Sequence, residues 1–169
     1  MDAFAPKFLK EIARQLDAER EICGSLVLDD QALLTSHDIR IGERVDGREQ
    51  CLTRYQTPVS FHTHPTHEKG YPSFEDLMKV VKPNRNTNKS YIFTAWGLWE
   101  LTRRPGLAVN YNAKDFEIVE RFITMIISQP LYKATQSGRV YTSENRPDVD
   151  RYIRQLECFL PLTIVFHQV

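Results

Sequence analysis

The chain has 169 residues, of which 41% are hydrophobic and 26% charged, and its 22 Lys plus Arg balance 22 Asp plus Glu. That size suits one globular domain with its own core, and the composition is ordinary for a soluble protein. The charge balance excludes a whole-chain basic footprint for nucleic acid, and the longest apolar runs, such as Phe159 to Phe166, are too short to span a bilayer.

Pro6 to Arg20 reads as an amphipathic helix, with Leu9, Ile12, Ala13 and Leu16 at i, i+3, i+4 and i+7. Ile22 to Leu28 reads as a buried strand ended by Asp29-Asp30, and Ala32 to Ile41 as its partner. Gly42 to Gly47 is polar and turn-rich, and a further strand is expected between Glu49 and Tyr55. Val59 to His64 reads as a strand that Pro65 ends, with Ser60, His62 and His64 on one side and Val59, Phe61 and Thr63 on the other. Ser73 to Val81 reads as a short helix with Phe74, Leu77, Met78 and Val81 as its apolar stripe. Lys82 to Lys89, mixed with Asn and Pro, reads as a solvated loop.

Ser90 to Thr94 and Leu98 to Thr102 read as a hairpin around Gly97, with Trp96 and Trp99 packed in the core rather than lining a groove. Lys114 to Ser128 predicts a helix burying Phe116, Val119, Ile123 and Ile127, stopped by Pro130. Pro147 to Leu160 predicts another, burying Val149, Tyr152, Ile153 and Leu156, with its proline in the first turn. Thr163 to Val169 completes the pattern as a last strand. The sum is a single α/β domain over residues 1–169, a mixed sheet flanked by helices.

Cys23, Cys51 and Cys158 lie far apart and form no CxxC pair. Their odd number argues against a disulfide framework and for a reducing compartment, with Cys23 as a small buried hydrophobe. The N-terminal residues lack a signal-peptide pattern. Together these features predict a cytoplasmic protein.

Five residues carry chemistry in the first half. His62 and His64, two apart on a strand, offer either two neutral nitrogens to one metal or a solvated strand end. Ser73 and Asp76 share a helix face, where they either cap the first turn or turn a hydroxyl and a carboxylate toward a cation. Glu21, alone, is a surface acid. Its weight comes from the Cys23-Gly24 that follows it and from His62-Thr63-His64-Pro65 downstream.

Taken in order, Glu21 in Glu-x-Cys-Gly, His62-Thr63-His64-Pro65 and Ser73-Phe74-Glu75-Asp76 resemble the motif of the JAMM (MPN+) zinc metallopeptidases. The likeness covers the elements from the first helix to about Thr102. Eight residues, Pro65 to Pro72, separate His64 from Ser73, one more than the family's usual spacing, which bears on the rim of the site. His67, inside that loop, is expected to be solvated. The resemblance implies a JAB/MPN domain of cytidine-deaminase-like architecture. It implies one zinc ion on His62, His64 and Asp76 with water in the fourth position. It further implies Glu21 as general base and then acid, and Ser73 as donor to the oxyanion. The implied substrate is a ubiquitin-like protein or its conjugate, cut after the C-terminal glycine. A protein partner or a homo-oligomer is compatible, with no role for nucleic acid or membrane. Ile41 to Gln56 falls where relatives carry an insertion clamping the substrate tail, and its length permits a small clamp or a plain β-connection.

Other readings are weaker. His62-Thr63-His64 with Glu68 partly matches a cupin, but the helical segments argue against that fold. A barrel amidohydrolase typically needs about 250 residues. The non-enzymatic alternative is a metal-free MPN-type scaffold or interaction module in a larger complex, although such domains usually lack a ligand and every motif position is filled here.

Overall fold

A computed structural model describes residues 3–16, 20–45, 48–51, 58–66, 69–82, 86–106, 111–137 and 141–168. Among these the chain forms Pro6–Leu16 (α1), Ile22–Ser25 (β1), Val27–Leu28 (β2), Leu34–Thr35 (β3), Arg40–Ile41 (β4), Glu43–Val45 (β5), Arg48–Gln50 (β6) and Val59–Thr63 (β7). Then follow Phe74–Val81 (α2), Lys89–Thr94 (β8), Gly97–Arg103 (β9), Ala113–Phe122 (α3), Gln129–Ser137 (α4), Arg146–Phe159 (α5) and Leu162–Gln168 (β10). The expected α/β class, a mixed sheet with helices, is what the molecule shows.

The central sheet has the order β10-β9-β8-β7-β1-β4. β7 and β8 are parallel and joined through α2, and the other neighbours are antiparallel. Alternation along the strands feeds two cores. Ile92, Trp99 and Leu101 enter a large cluster with residues of α2, α4 and α5, whereas Tyr91, Phe93, Leu98 and Phe61 enter a smaller one with Phe8 and Ile12 of α1. Fully burying a side chain of this kind contributes about 1.5–3 kcal/mol. Exposed pairs such as Arg121–Glu117 and Arg146–Asp150 are screened by solvent and contribute little. The two cores, and not the surface ion pairs, hold the sheet in place.

The stripes expected of α2 and α5 are buried, with Ile153 at the edge. Trp96 and Trp99 are both buried, as expected. No helix among the described residues is long and apolar enough to cross a membrane. Glu68 and His67 lie outside the described residues, as do most of the strand expected between Glu49 and Tyr55 and the centre of the loop before Lys89.

Five expectations need correction. α1 buries Phe8 and Ile12 while Leu9 and Ala13 stay exposed, because Phe8 is drawn to Phe61, its ring 5.0 Å away edge-on, and to Phe93. Ile22 to Leu28 is not one strand: Leu26 turns inward between β1 and β2, and β2 leaves to pair with β3. Gly42 to Gly47 is not merely a turn, since Glu43–Val45 pairs with Arg48–Gln50 as a hairpin. Pro130 does not stop the helical path. After α3 the backbone widens into a π turn at Ile123–Ile127, and Pro130 enters the first turn of α4, where its missing N–H costs nothing.

The fifth correction concerns the cysteines. Cys23 and Cys51 are joined by a disulfide, with Cα atoms 6.1 Å apart, and Cys158 is free and exposed. Sequence distance misled here because β1 and the segment after β6 are brought together only by folding. The cysteine argument for a reducing compartment therefore falls.

Gly97 closes the β8–β9 turn with φ at +147°, a conformation other residues rarely adopt, and a Cβ there would lie 2.3 Å from the His167 carbonyl oxygen. Gly97→Ala is expected to lower unfolding stability by roughly 1–3 kcal/mol. Urea denaturation measures it, and an unchanged midpoint would contradict this account of the turn.

Candidate metal site

The end of β7 delivers the two imidazoles. Alternation turns His62 to one face and Thr63 to the other, and the bond from His64 N to Phe93 O at 2.8 Å keeps the chain extended beside β8 for one residue more. His64 therefore returns to the face of His62. Their Nε2 atoms stand 3.2 Å apart and both rings are buried.

The start of α2 delivers the carboxylate. Ser73 is the N-cap, its hydroxyl accepting from Asp76 N while Asp76 Oδ2 accepts from Ser73 N at 2.8 Å, which is a capping box. The capping reading of the Ser-x-x-Asp spacing is thus correct. The same geometry turns Asp76 inward, so the cation-facing reading is not displaced by it. Asp76 Oδ1 is 3.0 Å from His62 Nε2, and Oδ2 is 3.2 Å from His64 Nε2.

Glu21 is placed by strand register. Cys23 lies across from His62 in the β1–β7 pair, and Ile22 N donates to Thr63 Oγ1 at 3.0 Å. One step further sets Glu21 beside His64, with Oε1 4.0 Å from His64 Nε2 and the residue only 8% exposed. The surface-acid reading of Glu21 is wrong, because the sheet register draws it under cover. Every candidate residue, Glu21, His62, His64, Ser73 and Asp76, converges on one place.

The donor set fits a zinc-like ion. Ligands about 2.0–2.1 Å from a tetrahedral ion lie roughly 3.3 Å from one another. The two Nε2 atoms stand 3.2 Å apart, and each lies close to its own oxygen of the Asp76 carboxylate, His62 3.0 Å from Oδ1 and His64 3.2 Å from Oδ2, separations near that spacing. Among the described residues, His62, His64 and Asp76 are the buried His/Cys/Asp/Glu group able to share one ion. His64 Nδ1 faces the Lys69 carbonyl at 3.0 Å, and a carbonyl only accepts, so that nitrogen carries the hydrogen and Nε2 faces the site. Cys23, held in its disulfide, offers no thiolate.

Two ring nitrogens facing each other across 3.2 Å need a cation or a proton between them, and the titration of the three groups says where a proton goes. Burial pushes His62 down to about 4, against the pull of Asp76. Burial also works against the charged form of His64, but the hydrogen bond and charge of Asp76, with Glu21 behind, outweigh it and raise the pKa. For Asp76, burial opposes ionisation, yet His62, Lys79 and the imidazole hydrogen bonds hold the carboxyl well below its usual range. In the absence of an ion, a proton favours His64 over His62, and Asp76 favours its carboxylate form.

Two contacts at the site are absent from the sequence reading. Lys79 Nζ lies 3.1 Å from Asp76 Oδ1; the i, i+3 spacing on α2 is the signal that would have revealed it. The Ser73 hydroxyl also donates to Asp76 Oδ2 at 2.8 Å, so its single proton is engaged.

No family model matches the chain, and neither a curated protein nor a solved structure matches it significantly.

The depressed His62 pKa sets a pH dependence for the metal-free protein. Unfolded His62 takes its proton near 6.5 and the folded residue only near 4, so the unfolded chain binds more protons across that window and stability falls as pH drops through it. His64 has the opposite sign: its raised pKa stabilises fully below 6.5 and is lost as pH rises, so it adds no slope within the window. Urea midpoints of chelator-treated protein should decline from pH 6.5 to pH 4, and less steeply in His62→Gln. Equal slopes would contradict the buried, neutral His62.

Proposed function

We propose that the chain is a zinc-dependent peptidase of the JAMM (MPN+) type, hydrolysing the amide bond after the C-terminal glycine of a ubiquitin-like protein. The observation that carries this reading is the buried trio His62, His64 and Asp76, whose ligand atoms lie within 4.8 Å of one another, with a second acid, Glu21, 4.0 Å from His64 Nε2. Three protein ligands leave one position open, which is the pattern of hydrolytic rather than structural zinc sites. Order and spacing in the sequence support the same reading.

His62, His64 and Asp76 would hold the ion. A bound zinc ion polarises a carbonyl and lowers the pKa of coordinated water from about 15.7 to about 7. Glu21, which does not belong to the donor trio but lies 4.0 Å from His64 Nε2, would accept the proton of the attacking water and pass it to the departing amine. The Ser73 hydroxyl would donate to the oxyanion once its proton turns away from Asp76 Oδ2. The Ser73 N–H keeps its own bond to that carboxylate, so Asp76 stays oriented while the hydroxyl turns.

The contact favouring the alternative, a metal-free scaffold, is Lys79. Its ammonium sits on Asp76 Oδ1 and partly neutralises the carboxylate that an ion would need. A metal measurement separates the two readings.

Glu21→Gln should keep stoichiometric zinc and lose turnover on a ubiquitin-like fusion substrate, assayed by gel alongside metal analysis. Normal cutting by Glu21→Gln would remove the base assignment, and wild type that takes up no zinc would favour the scaffold. Ser73→Ala should lose about 1 kcal/mol of stability from the cap and about 10²–10³ in kcat from the oxyanion donor. A kcat loss no greater than the stability loss explains would leave Ser73 as a cap alone.

A further inference from the structure

The segment between the imidazoles and α2 is held by its carbonyl oxygens. Lys69 O faces His64 Nδ1 at 3.0 Å. Gly70 O accepts from Trp99 Nε1 at 2.9 Å, and the Thr94 hydroxyl reaches the same oxygen at 3.2 Å. Pro72 O accepts from the Tyr152 hydroxyl at 2.8 Å. Trp96 lies flat against Gly70, where a Cβ would meet ring atoms at 2.3–2.5 Å, so only glycine admits this approach. Ser73 and Asp76 follow directly.

The donors come from far away in sequence. Trp99 is on β9, 29 residues from Gly70, and Tyr152 is on α5, 80 residues from Pro72. Both side chains are fully enclosed, and their rings pack edge-on with centroids 5.7 Å apart. Burial first, then the charges of Tyr71 and Asp76, push the Tyr152 phenol well above its ordinary pKa, so it is always a donor.

These bonds link the metal ligands to the last third of the chain. His64 is oriented by the Lys69 carbonyl, and Asp76 by the cap that begins one residue after Pro72. We propose that Trp99 and Tyr152 are positioning residues of the metal site, fixing the Gly70 and Pro72 carbonyls so that His64 Nε2 and the Asp76 carboxylate meet at ligand spacing. Neither belongs to the donor trio. Hydrogen-bond partners of the ligands themselves typically set metal affinity by about 10–100-fold, and Trp99 and Tyr152 act on the segment that supplies those partners. The inference rests on the metal reading for its affinity readout, and has a second readout that does not need a metal.

The test compares Tyr152→Phe and Trp99→Phe with Ile164→Val, a substitution in the same core but on β10. Three quantities are measured: thermal midpoint, zinc dissociation constant by chelator competition with the Co²⁺ absorption spectrum, and amide hydrogen exchange over 69–73 in metal-free protein. Tyr152→Phe should weaken zinc about 10–100-fold, alter the Co²⁺ bands and speed exchange at 69–73. Ile164→Val should shift only the midpoint. Equal zinc affinity, spectrum and loop exchange in Tyr152→Phe and Ile164→Val would overturn the proposal. If Tyr152→Phe fails to fold, Trp99→Phe is judged by the same outcomes. If wild type binds no zinc, the peptidase reading fails, and faster exchange confined to 69–73 in Tyr152→Phe still upholds the positioning role, while unchanged exchange ends it.

Discussion

The buried carboxylate of Asp76, shared between two imidazoles, is the interaction on which the rest of the site depends. Its oxygens lie 3.0 and 3.2 Å from His62 and His64. A lone charge in that position would be costly, and two facing ring nitrogens without a proton or cation would repel. Held together, they form a place for positive charge. Lys79 at the edge, the raised proton affinity of His64, and the Ser73 cap are each a partial answer to the same electrostatic demand. A divalent ion would answer it more fully.

The architecture enforces this meeting from three directions. The β1–β7 register sets Glu21 beside His64. The parallel β7–β8 pair extends the strand far enough to turn His64 back toward His62, and the connection between them contains α2 with Asp76 at its first turn. Beneath these, the larger core clamps the Gly70 and Pro72 carbonyls through Trp99 and Tyr152. The site is a meeting of sheet ends with a helix start, and α5 reaches it through Tyr152, whose hydroxyl bonds Pro72 O and whose ring packs on Tyr71.

Sequence reasoning reached the site residues through their order and spacing taken together, since each local pattern left an ordinary alternative open. Period put the two histidines at i, i+2 on one strand face, and Ser-x-x-Asp at a helix start. The class of fold and the buried stripes of α2 and α5 followed from period in the same way. Elsewhere, tertiary contact overrode local pattern. Aromatic packing rotated α1 about Phe8, Leu26 broke a uniform apolar run, and Pro130 opened a helix rather than closing one. The Cys23–Cys51 bridge and the Tyr152–Pro72 bond join residues far apart in the chain, and no local signal marks either. Glu21 stands between: nothing local buries it, yet its motif companions marked it.

The most direct test of the account is zinc-edge X-ray absorption on protein loaded with one equivalent of zinc. Nitrogen and oxygen neighbours at about 2.0–2.1 Å, with an imidazole pattern for two ligands that falls to one in His62→Gln, are the predicted result. A sulfur shell near 2.3 Å, or a spectrum identical in wild type and His62→Gln, would contradict it.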